Sequence, residues 1–253
     1  MNSAHLSKSN KETVEKMEPI FIIGVPRCGS TLVEKIIISG KEIIPAGEET
    51  TIMENFINQK ILQKQSVNLG DAANLRLELF DIYKQKGLVL KNNKNIFTDK
   101  SLNNFFYINL IKEIFPSAKI INCKRDALSS IVSIFQNNLS DLAWAHNLEN
   151  IFKYFDSYFK IMDNYKKKYP EFIYELKFEK LVSNPEGESK KIMNFCKLPW
   201  DERCLKFYKR KDIISKTASN IQIRKPIYKH SSEKYLPYKK LLDKYGKKYS
   251  WFN

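Results

Sequence analysis

A glycine-rich segment near the start of the chain has the residue types and spacing of a phosphate-binding loop. The segment GVPRCGST (24–31) follows the apolar, β-branched run PIFIIGV and precedes TLVEKIIISG, whose apolar residues recur at helical spacing. The two glycines allow the backbone to turn tightly with its N–H groups directed inward, and the helix adds its partial positive charge. This strand, loop and helix predict a site for an oxyanion.

The loop differs from the nucleoside-triphosphatase pattern G-x-x-x-x-G-K-[ST] at one position. Gly24, Gly29 and Thr31 keep the spacing, but Ser30 stands where the pattern has lysine. Arg27 inside the loop can replace that cation, and no strand that ends in a clear magnesium-holding Asp is evident. We therefore expect a phosphate bound without an obligatory metal ion. The alternative is a simple turn between strand and helix, with Arg27 merely exposed.

Composition places the chain among folded, basic proteins. Its 253 residues are 43% hydrophobic, enough for the core of one sizeable domain, and this excludes a peptide hormone, a coiled coil or a disordered tail. Lys and Arg outnumber Asp and Glu by 43 to 28, a net charge of +15, of which +10 lies in the basic C-terminal segment 201–253. This excess predicts an anionic partner: nucleic acid, a membrane surface, or a phosphorylated or sulfated small molecule.

Cysteine and histidine spacing gives no sign of a metal centre. Four cysteines lie far apart without a C-x-x-C pair, and the three histidines are widely separated. The first 18 residues are polar, and no later apolar run approaches the roughly 20 residues that span a bilayer. We expect a cytoplasmic protein without a metal or a membrane span, in which a flexible leader (1–18) precedes one domain (19–253).

Strand and helix patterns alternate along the rest of the chain. Residues 53–98 have helical patterns without recognisable chemistry and predict packing helices. The later patterns predict, in order, a helix over 103–116, a strand over 118–126, helices over 127–136 and 148–168, a strand over 172–181, and a helix over NPEGESKKIMNFCKL. This alternation predicts an α/β fold, a P-loop-type central parallel sheet with helices on both faces in a single domain.

GVPRCGSTL, followed by PAGEET (45–50), resembles the sulfotransferase superfamily, and in particular its tyrosylprotein-sulfotransferase-like branch. Further similar segments follow in the family's order: TDKSL (98–102), KRDALSSIVSI (124–134), ELKFEKLVSNPE (175–186), LPW (198–200) and TASNIQIRKPIY (217–228). The resemblance covers residue 19 to about 240. Each later segment alone is only weakly specific for the family, but five such segments in the family's order after a phosphate loop are specific. It implies 3′-phosphoadenosine 5′-phosphosulfate as co-substrate, with 3′-phosphoadenosine 5′-phosphate as product.

The resemblance also implies catalytic roles. Sulfuryl transfer builds negative charge on the oxygen that leaves with the donor's 5′-phosphate, so cations are needed there. Arg27 and Lys100 are the candidates by position, and Ser219 is a further candidate donor to the leaving group. In this branch the general base is the second Glu of G-E-E-T, which is Glu49 here. The alternatives are an ordinary exposed pair of carboxylates and, as a rival base, His146.

Donor-binding residues follow from the same resemblance. The 5′-phosphate is expected at the loop, including Cys28, Gly29, Ser30 and Thr31. Arg125 ends the second strand and Ser133 lies about two helical turns later, so both can face one groove and hold the 3′-phosphate. The remaining implied contacts are Phe178, Ser219, Gln222, Arg224 and Lys234. The alternatives are a surface ion pair of Arg125 with Asp126 and a merely solvated Lys234.

Four positions depart from the family pattern, and Ser30 in place of the commoner Thr is one of the two mild changes. Phe178 stands where a Tyr typically meets the nucleotide, and Asn137 replaces a basic residue. Loss of one hydroxyl and one charge should weaken donor binding by at most about 1–3 kcal/mol. Cys28 stands in place of Ser, and its position near a helix N-terminus and Arg27 predicts a lowered thiol pKa and sensitivity to alkylation.

Three functions are compatible with these patterns. The leading hypothesis is a sulfotransferase that acts on a hydroxyl acceptor, which is a peptide tyrosine, a sugar or a small alcohol, without nucleic acid as a partner. The second is a P-loop kinase or nucleotide phosphotransferase, which the missing loop lysine disfavours. The third is a non-catalytic protein that binds anions or nucleic acid through the basic C-terminal segment. The shape of residues 50–98 and neighbouring loops would determine the acceptor.

Overall fold

A four-stranded parallel sheet forms the centre of the molecule. The computed structural model describes residues 17–64, 71–90, 95–137, 139–210, 224–227 and 235–252. The strands are β1 (Glu18–Gly24), β2 (Ile96–Asp99), β3 (Lys119–Lys124) and β4 (Ile173–Lys177). The α-helices are α1 (Ser30–Ile38), α2 (Ile52–Leu62), α3 (Ala72–Gln85), α4 (Ile108–Ile114), α5 (Ala127–Gln136), α6 (Leu148–Lys168), α7 (Phe178–Ser183), α8 (Pro185–Phe195) and α9 (Lys239–Gly246). Short 3₁₀ segments include Leu102–Tyr107 and Ala143–His146.

The order of the strands across the sheet is β2-β1-β3-β4. The chain therefore passes from β1 to a neighbour on one side and then crosses to β3 on the other side. In open parallel sheets, ligands bind outside the carboxyl ends of the strands at such a change of direction. Here that point is the end of β1, where Gly24 pairs with Cys123 of β3 and the glycine-rich loop begins.

Both faces of the sheet are covered. Successive side chains of a strand point to opposite faces, yet Ile20, Phe21, Ile22 and Ile23 of β1 are all at most 1% exposed. Strands buried on both faces are typical of parallel sheets between layers of helices. The predicted α/β fold with a single hydrophobic core is therefore confirmed. Among the described residues, no helix combines the length and apolar character needed to cross a membrane.

The structure corrects several predicted element boundaries. The first three residues of β2 (Ile96–Asp99) lie in the region 53–98, for which the helical patterns predict packing helices. The strand was missed because four residues are too few to show a period. The strand predicted over 172–181 ends at Lys177, because β3, its partner, ends opposite it at Lys124. The helix predicted over 103–116 is a 3₁₀ segment followed by α4.

At the N-terminal side, the described residues begin slightly before the predicted domain boundary. Met17 is fully buried and Glu18 opens β1, so these two residues belong to the folded part of the chain rather than to a polar leader. The Glu18 backbone N–H donates to the Asn95 carbonyl, which explains why the strand extends this far.

The segment that carries the G-E-E-T sequence runs along the edge of the sheet beside β2. Ala46 forms a parallel bridge with Thr98, whose backbone N–H donates to the Pro45 carbonyl at 3.0 Å. The Lys100 N–H donates to the Glu48 carbonyl at 2.7 Å. A Cβ atom on Gly47 would collide with the Thr98 carbonyl oxygen, so only glycine allows this close approach.

A buried carboxylate lies beneath this segment. Glu34 of α1 is fully buried, and its Oε1 accepts hydrogen bonds from the Glu48 N–H at 3.0 Å and the Thr98 hydroxyl at 2.8 Å. Burial raises the pKa of Glu34, although the charges of Lys100 and Lys35 oppose the rise. Glu34 thus joins α1, β2 and the G-E-E-T segment.

Gly47→Ala tests the close approach of this segment to β2. We expect it to lower the unfolding free energy by about 1–3 kcal/mol, because the new methyl group meets backbone that cannot move aside. The measurement is urea denaturation. Gly40→Ala is the matched control, since its Cβ would come closest to the side-chain ends of Met193 at 3.1 Å and Cys204 at 3.3 Å, which can shift. The nearest backbone atom, the Ile37 carbonyl oxygen, lies at 3.7 Å, an ordinary contact distance. Equal losses in the two variants would contradict the proposed constraint.

Glu34→Gln tests the burial of this carboxylate. Because the folded-state pKa of Glu34 lies above its ordinary value of 4.5, its contribution to stability is fully present below that pH and is lost as the pH rises through the raised pKa. Glutamine does not titrate. The unfolding free energy of wild type minus that of the variant should therefore fall between pH 4.5 and pH 8, by about 1.4 kcal/mol for each unit of pKa difference. The measurement is a set of denaturation curves across this pH range. A free-energy difference between wild type and variant that stays constant with pH would contradict the raised pKa of Glu34.

Candidate active site

The predicted site residues lie together because each follows the end of a strand. The phosphate loop follows Gly24 of β1, and Lys100 follows β2. Arg125 follows β3, and Phe178 follows β4 as the first residue of α7. Since all four strands are parallel, these residues meet at one edge of the sheet.

The phosphate loop ends in an uncapped helix N-terminus. Arg27 and Gly29 both have left-handed backbone conformations, with φ of 69° and 95°. Gly29 is the N-cap of α1 and has no side chain that could accept from the N–H groups of the first turn. Ser30 and Thr31 are buried at the start of that turn. This arrangement is typical of helix N-termini that bind oxyanions.

Arg27 connects the loop to the two residues predicted for the 3′-phosphate. Its Nε donates to the Ser133 hydroxyl at 3.0 Å, and its carbonyl oxygen accepts from Nη1 of Arg125 at 3.0 Å. Arg125 and Ser133 therefore lie at the same groove, beside the phosphate loop. Two guanidinium groups and a hydroxyl at this distance form a cationic cradle suited to a second phosphate.

The two departures near this groove both have structural roles. The half-buried ring of Phe178 lies so close to Gly29 that a Cβ there would collide with it, and the Arg125 guanidinium lies 4.9 Å from the ring centroid. Asn137 donates through Nδ2 to the Ser133 carbonyl at 2.6 Å. Phe178 thus forms a wall of the loop, and Asn137 holds the helical turn that presents Ser133.

Glu49 and Lys100, the predicted base and cation, form an ion pair. Lys100 Nζ lies 2.9 Å from Glu49 Oε1, and the lysine side chain is fully buried, whereas that of Glu49 is 53% exposed. The pair therefore joins the protein interior to the surface at the G-E-E-T segment. A buried lysine needs such a partner, because a charge removed from water without one is very costly.

Asp99 holds the segment after Glu49 in place, a role that the sequence patterns did not indicate. Its Oδ2 accepts from the hydroxyls of Thr50 at 2.9 Å and Tyr83 at 2.8 Å. Its Oδ1 accepts from the Ser101 N–H at 3.0 Å and from Asn104 Nδ2 at 3.2 Å. Burial and the adjacent carboxylate raise the pKa of Tyr83 well above its ordinary value, so the phenol remains a donor. The only sequence signal was the position of Asp99 beside Lys100.

Cys28 differs from its prediction in cause and in reactivity. A side-chain hydrogen bond from Cys123 of β3 is the largest cause of the lowered pKa of Cys28, whereas the helix N-terminus and Arg27 were the predicted causes. Contacts with Ser30, the first residue of α1, and the charge of Lys100 make smaller contributions in the same direction. The thiol is 1% exposed, which argues against the predicted sensitivity to alkylation. The Cys28 side chain is therefore buried beneath the loop, and its predicted role in donor binding stays a prediction.

An open cleft of about 120 Å³ lies beside Glu49. Its lining includes Pro26 of the phosphate loop, Glu54 of α2, Leu102 and Trp144. The cleft therefore adjoins both the loop and the predicted base. His146, the rival base, is exposed at the end of its 3₁₀ segment and is not part of this lining.

The late segment is only partly described. Ser219, Gln222 and Lys234 lie outside the described residues, so their predicted roles stay predictions. Arg224 is described and exposed.

The chain is similar to known sulfotransferases in sequence and in fold. A model of the sulfotransferase family matches residues 19–202. A functionally uncharacterised protein of Aquifex aeolicus (strain VF5) is 33% identical over 237 residues, which cover 88% of this chain and 31% of that protein. Protein-tyrosine sulfotransferase A of Caenorhabditis elegans is 26% identical over 202 residues, covering 74% of this chain and 51% of that enzyme. The chain thus spans between about a third and a half of the length of these relatives.

The fold is also found in a sulfotransferase domain of known structure. The sulfotransferase domain from the Synechococcus PCC 7002 olefin synthase superposes with a TM-score of 0.62 at 19% sequence identity, covering 87% of this chain and 88% of that domain. This likeness concerns the fold, whereas the family match covers most of the chain, from β1 to beyond α8. The chain therefore belongs to the sulfotransferase family and is most similar in its motifs to the tyrosylprotein-sulfotransferase-like branch.

Proposed function

We propose that this protein transfers a sulfuryl group from 3′-phosphoadenosine 5′-phosphosulfate to a hydroxyl group of an acceptor. One observation carries the proposal: a phosphate loop with two arginines lies next to an ion pair of a buried lysine and a half-exposed glutamate at the mouth of a cleft. Family membership supports the reaction type. The identity of the donor and the role of each residue are part of the proposal.

The residues around the loop fit a nucleotide that carries phosphates at both its 5′ and 3′ positions. The N-terminus of α1 and Arg27 would hold the 5′-phosphate. Arg125 and Ser133, which both contact Arg27, would hold the 3′-phosphate. The ring of Phe178, which follows β4, packs against Gly29 of the phosphate loop at the start of α1. A site with one phosphate position alone would not need the second arginine.

The donor supplies an activated sulfuryl group, which forms a bond to the acceptor oxygen as the bond from sulfur to the 5′-phosphate oxygen breaks and leaves its electron pair there. Glu49 takes the proton of the acceptor hydroxyl through Oε2, since Oε1 accepts from Lys100. Lys100 and Arg27 stabilise the negative charge that grows on the leaving oxygen. The products are a sulfate ester and 3′-phosphoadenosine 5′-phosphate.

Lys100 is suited to act at both ends of this reaction. It donates to Glu49, and its charge also contributes to the lowered pKa of Cys28 in the phosphate loop, after the larger effects of Cys123 and Ser30. Its field therefore reaches the base and the loop.

We further propose a cytoplasmic location, on the sequence ground that the four cysteines show no paired spacing.

Arg125→Ala tests the site for the 3′-phosphate. We expect 3′-phosphoadenosine 5′-phosphate to raise the melting temperature of the wild type, while AMP and magnesium ATP do not. The variant should bind the bisphosphate about 10- to 100-fold more weakly, because a charged hydrogen bond contributes about 1.5–3 kcal/mol. Arg203→Ala is the matched control, since Arg203 is exposed and paired with Asp201. Stabilisation by magnesium ATP instead, or by none of the nucleotides, would refute the donor assignment.

Glu49→Gln tests the general base. With 4-ethylphenol as acceptor, we expect kcat to fall by about 10²- to 10⁴-fold, because the amide cannot take the proton. The loss should be much smaller with 4-nitrophenol at about pH 8.5, where most of this phenol has already lost its proton. The shift in melting temperature with the bisphosphate should remain.

The matched control for the base is Glu48→Gln, whose carboxylate lies 3.5 Å from Lys35 in the same segment. We expect this variant to keep kcat within about tenfold of wild type, since it does not remove the proton acceptor. Equal losses for the two phenols in Glu49→Gln would indicate a structural role for Glu49 instead.

A further inference from the structure

The cleft beside Glu49 is apolar over most of its surface. Pro26, Leu102, Leu142 and Trp144 supply this surface. An acceptor whose hydroxyl reaches Glu49 must place the rest of its body against these groups.

Trp144 forms a rigid aromatic wall of this cleft. Its ring stacks on Tyr154 of α6, with ring centroids 4.0 Å apart and planes inclined by 10°. The Tyr154 hydroxyl in turn donates to Asn103 Oδ1 at 3.0 Å. The indole is thus held by a partner that is itself anchored beside the cleft. A fixed aromatic surface of this kind favours a flat ring in the ligand.

The charge of the cleft is opposite to that of the whole protein. Glu49 and Glu54 line it, and among the described lining residues there is no Lys or Arg. Lys100 pairs with Glu49. Among the described residues, no lysine or arginine forms an ion pair with Glu54. Its carboxylate accepts one hydrogen bond there, from Asn103 Nδ2 at 3.5 Å. The charge of Glu54 also acts on a neighbouring side chain: burial raises the pKa of Tyr107, and Glu54 raises it further.

We propose that the acceptor is a phenol that carries a positively charged amine. Its hydroxyl would lie at Glu49, its ring against Trp144, and its ammonium group at Glu54. This inference rests on the proposed function, because it takes Glu49 as the group that activates the hydroxyl. The same chemistry occurs in a small phenolic amine and in a peptide tyrosine next to lysine, and the probes below separate these sources.

The experiment compares acceptors that differ only in charge. The small acceptors are tyramine, 4-ethylphenol and 3-(4-hydroxyphenyl)propionate; the peptides are acetyl-Lys-Tyr-Lys-amide and acetyl-Glu-Tyr-Glu-amide. We expect kcat/KM for the cationic member of at least one set to exceed that of the neutral phenol by about 10-fold and that of the anionic member by about 100-fold, as a charge-assisted contact implies. The set that shows the preference identifies the source.

Glu54→Gln should remove this preference. We expect kcat/KM for the preferred cationic acceptor to fall about 10-fold, while that for 4-ethylphenol stays within about twofold. Glu113→Gln, a change of an exposed carboxylate on α4, is the matched control for net charge and should keep the preference. Binding of tyramine to the complex with 3′-phosphoadenosine 5′-phosphate, measured by calorimetry, should weaken only in the Glu54 variant.

The outcomes separate this inference from the proposed function. If the bisphosphate binds and phenols are sulfated without a preference for the cationic ones, or with the preference intact in Glu54→Gln, the inference is wrong and the proposed function stands. If the bisphosphate binds and no phenol is sulfated, the acceptor class is wrong. If no bisphosphate binds, the proposed function fails and the inference fails with it.

Discussion

The parallel pairing of β1 with a strand on each side determines where every part of the candidate site lies. Phe21 pairs with Asp99 of β2, and Gly24 pairs with Cys123 of β3. These registers bring the phosphate loop, Lys100 and Arg125 to one edge, although about 100 residues separate the first from the last. A shift of either neighbour by one residue would turn its side chains to the other face and separate the groups. The chemistry therefore depends on hydrogen bonds between backbones that contain none of the reacting groups.

Buried polar groups then fix the G-E-E-T segment over that edge. Glu34 accepts from the backbone of Glu48, Asp99 accepts from Thr50, and Lys100 donates to Glu49, so three consecutive residues are each held by a fully buried partner. Burying such groups is costly unless they are paired, and an apolar packing of the same volume would often be more stable. What the polar groups provide is position: a carboxylate that must meet a hydroxyl within hydrogen-bonding distance cannot lie on a loose segment.

The sequence predicted those parts of the molecule whose signals are local. The phosphate loop between β1 and α1 and the alternation of strands and helices depend on neighbouring residues, and both are found in the structure. β2 is too short to show a period. Glu34 lies in the middle of α1, whose residues are nearly all buried, although charged residues are rarely buried without a partner. Its partners are 14 and 64 residues away, so no spacing within α1 indicates its role. The lowered pKa of Cys28 shows the same limit, because its cause is Cys123 on another strand.

The distribution of charge across the site separates the two substrates. The groove on one side of the loop has Arg27 and Arg125, whereas the cleft on the other side has Glu49 and Glu54. The ion pair of Lys100 with Glu49 lies where these regions meet. In the proposed reaction, these charges would draw an anionic nucleotide to the arginines and repel it from the cleft, which would keep the cleft open for the acceptor. In the proposed reaction, Glu49 at this boundary would take the acceptor's proton and Lys100 would stabilise the leaving oxygen, so one ion pair would serve both charges that develop as the sulfuryl group moves.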